Sequence, residues 1–306
     1  MSNPKDFIYI KDMSELADWR PEHALKHQSN VSNTRLLPRP PSRVAPEIPN
    51  LLICHDFKGG YHPSESSQGQ CPFPETIYTA EYLSLASAFV YFSHKRVSIP
   101  PAAWTNTLHR NGVKVLGTCM VEGPRDAPEL SRLFQRGSEG EFIFATQLAR
   151  IAAAYGFDGW LLNFEASFPP SGAGTAFSPM RLQEFLTELR SATRELCVGA
   201  EVIWYDALTV LNQVHWQDGL TLLNVPFFDK CDGIFTNYGW RPQTTLAQTV
   251  AMAQALGRVA DVFTGIDCFG RGSLGGGGFG VGEVQFKSPP SSPSSSSGRR
   301  RQKQNP

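Results

Sequence analysis

The chain has 306 residues with 28 basic and 28 acidic side chains, and 41% of its residues are hydrophobic. This length and apolar content exclude a mostly disordered protein and suit one large domain or two ordinary ones. The balanced charge argues against a nucleic-acid-binding protein, and no window approaches the roughly 18 consecutive apolar residues of a membrane span. The first residues lack the features of a signal peptide, and six scattered cysteines without a CxxC pair indicate reduced thiols. We therefore expect a soluble, cytoplasmic protein.

Both ends of the chain differ in composition from its middle. Five prolines lie between Leu37 and Asn50, and proline interrupts helices and central strands. We predict that residues 1–50 form a lead-in segment, proline-rich near 38–49, with a short helix near 13–19. The other end is rich in Gly, Ser and Pro and carries a basic run near its end, so it buries too little apolar surface to fold. We predict that residues 275–306 are a disordered tail.

Between these ends, apolar runs alternate with helical patterns. The runs are nearly continuous in apolarity, which is typical of strands buried on both faces of a parallel sheet. Strands are predicted at 51–57, 88–93, 113–122, 159–165, 200–206, 233–240 and 261–270. Helices are predicted at 141–155, 179–196 and 242–256, from apolar stripes with a Ser-Pro or Pro start or a glycine after the last turn.

This alternation predicts an α/β fold, and a (β/α)8 TIM-type barrel more than an open doubly wound sheet. Polar residues gather where the predicted strands end, and the carboxyl ends of barrel strands are where active sites form. No run after Gly270 predicts an eighth strand. We therefore expect a barrel domain over residues 51–274 that is incomplete at its C-terminal end.

The fourth predicted strand carries the most informative segment, FDGWLLNFE at 157–165. Side chains alternate along a strand, so Leu161, Asn163 and Glu165 share one face, with Glu165 at the rim. A carboxyl at a barrel mouth lined by aromatic side chains should have a raised pKa, which suits a general acid. The alternative is that Glu165 only stabilises the next loop or pairs with a basic side chain at the rim.

The pattern DGxxxNxE resembles the DGxDxDxE signature of chitinase-like glycosidases, with Leu161 and Asn163 in place of two aspartates. A wider set of motifs is more similar to the endo-β-N-acetylglucosaminidases of glycoside hydrolase family 85, over roughly residues 37–279. These motifs are HDFKGGY (55–61), FVYFSH (89–94), PPAAWTNTLH (100–109), GVKVLGT (112–118), FDGWLLNFE (157–165), WYD (204–206) and CDGIFTNYGW (231–240).

The resemblance implies cleavage between the two core GlcNAc residues of N-linked glycans with anomeric retention. In this family the 2-acetamido oxygen of the substrate is the nucleophile and closes an oxazolinium ion, an exception to the two-carboxylate scheme. Carried onto this sequence, Glu165 is the general acid and then the base, and Asn163 orients the acetamido group. The implied partners are N-linked glycans, glycopeptides or free oligosaccharides in the cytosol. We expect no cofactor, no metal, no nucleic acid and no membrane.

Five further residues are candidates for sugar binding. Tyr205 matches the family tyrosine that hydrogen-bonds the reacting acetamido group. Trp216 and Trp240 resemble aromatic residues that line the sugar pocket, with packing in the core as the alternative for Trp216. Asn237 and Glu122 lie at predicted strand ends and are candidate ligands for sugar hydroxyls.

Two other interpretations stay open. A barrel without its eighth strand has two unpaired edges, so one interpretation is an inactive truncated barrel that at most binds glycans. The other is a glycosidase with two ordinary carboxylates, Glu165 with Asp206 or Asp267, separated by about 5 Å for retention or about 6.5–9.5 Å for inversion. The run GRGSLG (270–275) fits a dinucleotide fingerprint, but no predicted helix follows it.

Overall fold

One sheet of parallel strands organises the protein. A computed structural model describes residues 7–39, 50–65, 78–79, 81–170 and 177–281. The strands are β1 (Leu52–Asp56), β2 (Ala88–Phe92), β3 (Val97–Ser98), β4 (Lys114–Glu122), β5 (Gly159–Glu165), β6 (Glu201–Tyr205), β7 (Gly233–Phe235) and β8 (Val262–Phe263). All except β3 pair in parallel in chain order, and β3 pairs antiparallel with β4. The predicted order of seven parallel strands is confirmed.

The parallel series forms a nearly closed barrel. Within the described residues no backbone ladder joins β8 to β1, so these strands are the two edges of the sheet. The side chain of Asn50, just before β1, nevertheless donates to the carbonyl of Ala260, just before β8, at 3.2 Å. The edges therefore approach each other at the amino ends of the strands. This agrees with the predicted (β/α)8 barrel that is incomplete at its C-terminal end.

The last two parallel strands are shorter than predicted. The runs predicted at 233–240 and 261–270 pair only over the residues of β7 and β8, and one more backbone bond joins the Thr236 N–H to the Phe263 carbonyl at 2.9 Å. At Gly265 a side chain would lie 2.2 Å from the Thr236 carbonyl oxygen, so the close approach of the two segments requires glycine there. The chain beyond both strands forms the rim of the barrel.

Helices lie between most of the strands. They are α1 (Met13–Asp18), α2 (Glu22–Lys26), α3 (Ala102–Arg110), α4 (Gly123–Arg132), α5 (Ile143–Tyr155), α6 (Pro179–Leu196), α7 (Val225–Phe228) and α8 (Ala247–Ala255). A π-helical turn, Pro242–Leu246, leads directly into α8. The helix near 13–19 and the three longer predicted helices are confirmed, whereas α2, α3, α4 and α7 are absent from the sequence prediction.

Local sequence signals explain the bounds of α5 and α6. The Ser178 hydroxyl accepts from the Arg181 N–H at the start of α6, and Pro179 occupies the first helical position, where its missing N–H is not needed. Gly156 ends α5 with a φ of 74°, which costs glycine little. The predicted stripe of α5 is fully buried against the sheet and its neighbours.

The described part of the lead-in packs into the main hydrophobic core. Met13, Leu16 and Trp19 are buried there, and Ile10 forms an antiparallel bridge with Val97. The Gln147 amide of α5 donates to three carbonyls of this segment, two in α1 and that of the residue after it. Residues 7–32 thus contribute to the same core as the barrel helices. The sequence prediction underestimated their burial, because a segment of short helices carries no sheet-like periodicity.

Parts of both predicted end segments lie outside the described residues. These are 1–6 and 40–49 of the lead-in segment and 282–306 of the predicted tail, so the domain boundaries at 50 and 275 remain predictions. Among the described helices, none is long and apolar enough to cross a membrane.

Candidate active site

A cavity of about 510 Å³ opens at the carboxyl ends of the parallel strands. Its wall is formed by residues at the ends of β1, β2 and β4 to β7, by the loops that follow them, and by the segment after β8. Six of the seven residues predicted from the sequence line it: Glu122, Asn163, Glu165, Tyr205, Trp216 and Asn237. The geometry therefore brings together side chains that are far apart in the chain, at the end of the barrel where the sequence placed them.

The Asp-Gly pair of the fourth-strand motif fixes the start of β5. Asp158 accepts hydrogen bonds from the Val115 N–H at 2.8 Å and from the ring of His109 at 2.7 Å. Gly159 has a φ of 127°, and a side chain there would lie 1.9 Å from the backbone oxygen of Glu201. Only glycine permits this approach of β5 to β6. These two residues set the register that carries the rest of the motif to the cavity.

Asn163 and Glu165 lie one above the other on the inner face of β5. Below them, Leu161 packs in the barrel interior. Asn163 is only 4% exposed, and its Oδ1 has no hydrogen-bond partner within the described residues. A buried acceptor without a partner costs free energy, so this oxygen is available to a ligand in the cavity.

The surroundings of Glu165 favour the protonated form of its carboxyl. Glu165 ends β5 directly opposite Glu122 of β4. Partial burial raises the pKa of Glu165, the negative charge of Glu122 raises it further, and the Asn163 side chain and His94 oppose the shift without cancelling it. A raised pKa is what a general acid near neutral pH requires, in agreement with the sequence prediction.

The pKa of Asp56, at the end of β1, is shifted in the opposite direction. Although burial alone raises its pKa, the Lys58 N–H and the His94 side chain outweigh burial and lower it. His94 Nε2 lies 3.0 Å from Asp56 Oδ2, and its Nδ1 lies 3.9 Å from Glu122 Oε2. The rim thus holds two carboxyl groups whose pKa values are shifted in opposite directions.

Tyr205 faces the cavity from the end of β6. Its hydroxyl donates to Asn237 Oδ1 at 3.2 Å, so the two predicted residues are in direct contact. Burial, followed by the charges of Glu165 and Asp206, raises the pKa of Tyr205. The hydroxyl therefore keeps its proton and can take part in hydrogen bonds to a sugar.

The two tryptophans predicted for the sugar pocket have different environments. Trp216 lines the cavity and is 41% exposed, so one face is open to a ligand. Trp240 is 2% exposed, packs against Leu246, and donates its indole N–H to the Gly265 carbonyl at 2.7 Å. The prediction that Trp240 lines the pocket is wrong for this structure, because its indole N–H anchors the chain after β8 instead.

The two carboxylates considered as partners of Glu165 both accept hydrogen bonds from other groups of the protein. Asp206 is 1% exposed, is not among the residues lining the cavity, and accepts from the Asn224 amide at 2.8 Å. Burial raises its pKa to about 7. Asp267 does line the cavity, but the Arg271 side chain and two backbone N–H groups bind it and lower its pKa despite partial burial. Neither arrangement suits a free nucleophile.

Sequence reasoning missed Phe269 and Arg271, which line the cavity from the segment after β8. Phe269 is 71% exposed, and the Arg271 guanidinium lies 5.1 Å from the centre of its ring. The run DCFGRG (267–272) places an aromatic and a basic residue at a strand end, which could have identified them. The glycines that follow made this pattern hard to recognise. Among the described residues, no group of three or more His, Cys, Asp or Glu side chains is placed to hold a metal ion.

The fold and the site define a (β/α)-barrel protein with an amide and a carboxyl paired at the end of the fourth parallel strand, where barrel enzymes carry their active sites. The sequence model described as Glycosyl hydrolase family 85 matches residues 61–288. The chain belongs to this family.

Several relatives share most of this chain. It is 42% identical over 236 residues to cytosolic endo-beta-N-acetylglucosaminidase 2 of Arabidopsis thaliana, covering 77% of this chain and 32% of that protein. It is 40% identical over 274 residues to the cytosolic endo-beta-N-acetylglucosaminidase of Mus musculus, covering 89% of this chain and 35% of that protein. The chain thus spans about a third of the length of the curated relatives it matches.

A solved structure shares the fold. The glycoside hydrolase domain of Endo-D from Streptococcus pneumoniae R6 superposes with a TM-score of 0.70 at 23% sequence identity. The superposition covers 87% of this chain and 42% of that chain. It shows that the arrangement of strands and helices is that of a glycoside hydrolase barrel domain.

Proposed function

We propose that this chain is an endo-β-N-acetylglucosaminidase barrel that cleaves the β-1,4 bond between the two core GlcNAc residues of N-linked glycans. Membership in family 85 and the names of the matched relatives support this reaction. The observation that carries the proposal is the pairing of Asn163 and Glu165 on one face of β5, both lining the cavity. Its substrates are N-glycans, glycopeptides or free oligosaccharides, and its place is the cytosol, as the names of the relatives suggest.

Glu165 acts as the general acid and then as the base. It protonates the glycosidic oxygen as the bond breaks, and the resulting carboxylate takes a proton from the water that attacks C1. The pKa of Glu165, raised by burial and by Glu122, supports the first role by keeping the carboxyl protonated at higher pH. Once the proton has left, the nearby His94 favours the carboxylate.

Asn163 positions the nucleophile, which is the acetamido oxygen of the substrate. The unpaired and buried Oδ1 of Asn163 accepts from the acetamido N–H, and this contact turns the acetamido oxygen towards C1. Holding a nucleophile within attacking distance accelerates the step because it removes the entropy cost of orientation. Tyr205 presents its hydroxyl oxygen to the same sugar, and Trp216 offers its exposed ring to the C–H face of a sugar.

Mass spectrometry of a defined high-mannose glycopeptide tests the proposal. The chain should leave a single GlcNAc on the peptide, and Glu165→Gln should abolish this product because the amide cannot donate and recover the proton. Asn163→Ala should lose hydrolysis as well. Glu184→Gln, at an exposed position of α6, is the matched control and should cleave at the rate of the unmutated chain.

Two results would contradict the proposal. A folded, soluble preparation that cleaves no N-glycopeptide would place the chain with inactive barrels that at most bind glycans. Cleavage of an analogue that lacks the 2-acetamido group would exclude the substrate-assisted mechanism and favour two ordinary carboxylates.

A further inference from the structure

A series of hydrogen bonds joins Tyr205 to a residue outside the lining of the cavity, Asp218. The Tyr205 hydroxyl donates to Asn237 Oδ1 at 3.2 Å, and Asn237 Nδ2 donates to Asp218 Oδ1 at 2.6 Å. The backbone N–H of Gly239 donates to the same carboxylate oxygen at 2.9 Å. Asp218 lies in the loop after β6, and Asn237 and Gly239 lie in the loop after β7. The series therefore links two rim loops to the cavity.

Asp218 determines the direction of each bond in this series. Its Oδ1 accepts from the Gly239 N–H and from Asn237, and a carboxylate oxygen carries no proton to donate. The NH2 end of the Asn237 amide must therefore face Asp218, which turns the amide oxygen towards Tyr205. An amide oxygen can only accept, so the Tyr205 proton must point towards Asn237. Without Asp218, the amide of Asn237 could turn over and direct its NH2 group at Tyr205.

The backbone around Asp218 is shaped for this contact. Asp218 has a φ of 54°, in the left-handed region that aspartate adopts more readily than most residues. At Gly239 a side chain would lie 2.6 Å from both carboxylate oxygens of Asp218, so a larger residue there would displace this carboxylate.

We infer that Asp218 is a positioning residue that acts through Asn237 to turn the Tyr205 proton away from the cavity, so that the Tyr205 oxygen faces the reacting GlcNAc as an acceptor for one of its O–H groups. This inference rests on the proposed function, since it assigns a purpose to Tyr205 in that reaction. The simpler alternative is that Asp218 only holds the two rim loops together. The two alternatives differ in whether the effect of Asp218 depends on the Tyr205 hydroxyl.

A double-mutant cycle on glycopeptide hydrolysis distinguishes them. Asp218→Gly removes the acceptor and also relieves the backbone, and it should lower kcat about tenfold with little change in KM. Asp218→Asn keeps an acceptor oxygen and tolerates the left-handed conformation, so it should restore most of kcat. In the Tyr205→Phe background, Asp218→Gly should cost less than about twofold, because the hydroxyl that it positions is gone.

A second loop residue provides the matched control. Asn212 also lies after β6, has a φ of 59°, and binds the backbone of Phe168 through both ends of its amide. Asn212→Gly loosens the same loop without touching the Tyr205 series. Its effect should be the same with and without the Tyr205 hydroxyl. If Asp218→Gly is likewise independent of Tyr205→Phe, the inference is overturned.

A measurement without turnover separates this inference from the proposed function. In the folded chain, the side-chain NH2 protons of Asn237 should show an NMR shift and slow solvent exchange caused by the short bond to Asp218. Asp218→Gly should abolish both, whereas Asn212→Gly should preserve them. If Asp218→Gly leaves these signals unchanged, the inference fails even in an active enzyme. If the signals respond but the unmutated chain cleaves no glycan, the proposed function fails alone.

Discussion

The buried pair of His109 and Asp158 beneath the barrel should make stability depend on pH. His109 Nε2 lies 2.7 Å from Asp158 Oδ2, and His109 Nδ1 lies 2.7 Å from the Thr34 carbonyl oxygen. Both ring nitrogens thus face acceptors, because neither a carbonyl nor a carboxylate carries a proton to donate. This arrangement favours the doubly protonated ring. Burial alone lowers the pKa of His109, but the bonds to Asp158 and Thr34 outweigh burial and raise it.

The sign of the pH dependence follows from this raised pKa. The folded state binds a proton that the unfolded state releases near pH 6.5, so the stabilisation is complete below about pH 6.5. It is lost as the pH rises through the higher pKa of His109 in the folded protein. The two side chains are 3% and 12% exposed, and removing one partner of such a buried charged pair costs on the order of 2–4 kcal/mol.

Urea unfolding of the chain and of Asp158→Asn across pH 5.5 to 9.5 measures this dependence. The cost of Asp158→Asn should be about 2–4 kcal/mol at the acid end and should shrink as the pH rises through the pKa of His109. Glu184→Gln, which removes an exposed pair with Arg136, should cost about 0.5 kcal/mol or less at every pH. A cost of Asp158→Asn that is the same at all pH values would refute the reasoning.

Three further predictions concern Asp206, Gly159 and Glu122. Burial raises the pKa of Asp206 to about 7, so unfolding releases its proton below pH 7. Urea unfolding should therefore show that Asp206→Asn stabilises the protein by about 1–3 kcal/mol at pH 8 and by less at pH 4. Gly159→Ala should abolish cooperative thermal unfolding, because its side chain would overlap the backbone of β6, whereas Gly199→Ala, with nothing within 4 Å of the added carbon, should lower Tm by only a few degrees. Glu122→Gln removes a charge that raises the pKa of Glu165, so the alkaline limb of the kcat/KM profile should move to lower pH.

The shared face of Asn163 and Glu165 could be predicted from the sequence because it depends on one strand. Alternation along β5 is enough to place Asn163 and Glu165 on a shared face, and parallel strands bring the ends of β4 and β6 beside them. Continuous apolar runs likewise identify buried strands without knowledge of their neighbours. These inferences need only local geometry and the rules of parallel sheets.

The errors concern residues whose environment is set by distant segments. Trp240 follows the rim residue Asn237 closely enough to suggest a pocket position, but the segment at Gly265 accepts its indole N–H and holds it inward. Asp218 carries no motif at all, and its importance emerges only when the loops after β6 and β7 meet. Contacts between two rim loops leave no periodic signal in either of them.

Among the described residues β1 and β8 do not pair, but interactions between the two sides of this seam bear on whether the cavity keeps its shape. At the amino ends, Asn50 binds the carbonyl of Ala260. At the carboxyl ends, side chains from β1 and from the segment after β8 line one cavity, and Arg271 helps to lower the pKa of Asp56 across the seam. The residues proposed for catalysis lie on β5 and β6, which have parallel neighbours on both sides. Loss of pairing at the seam should therefore lower the free energy of unfolding. It should leave the positions of Asn163, Glu165 and Tyr205 largely unchanged.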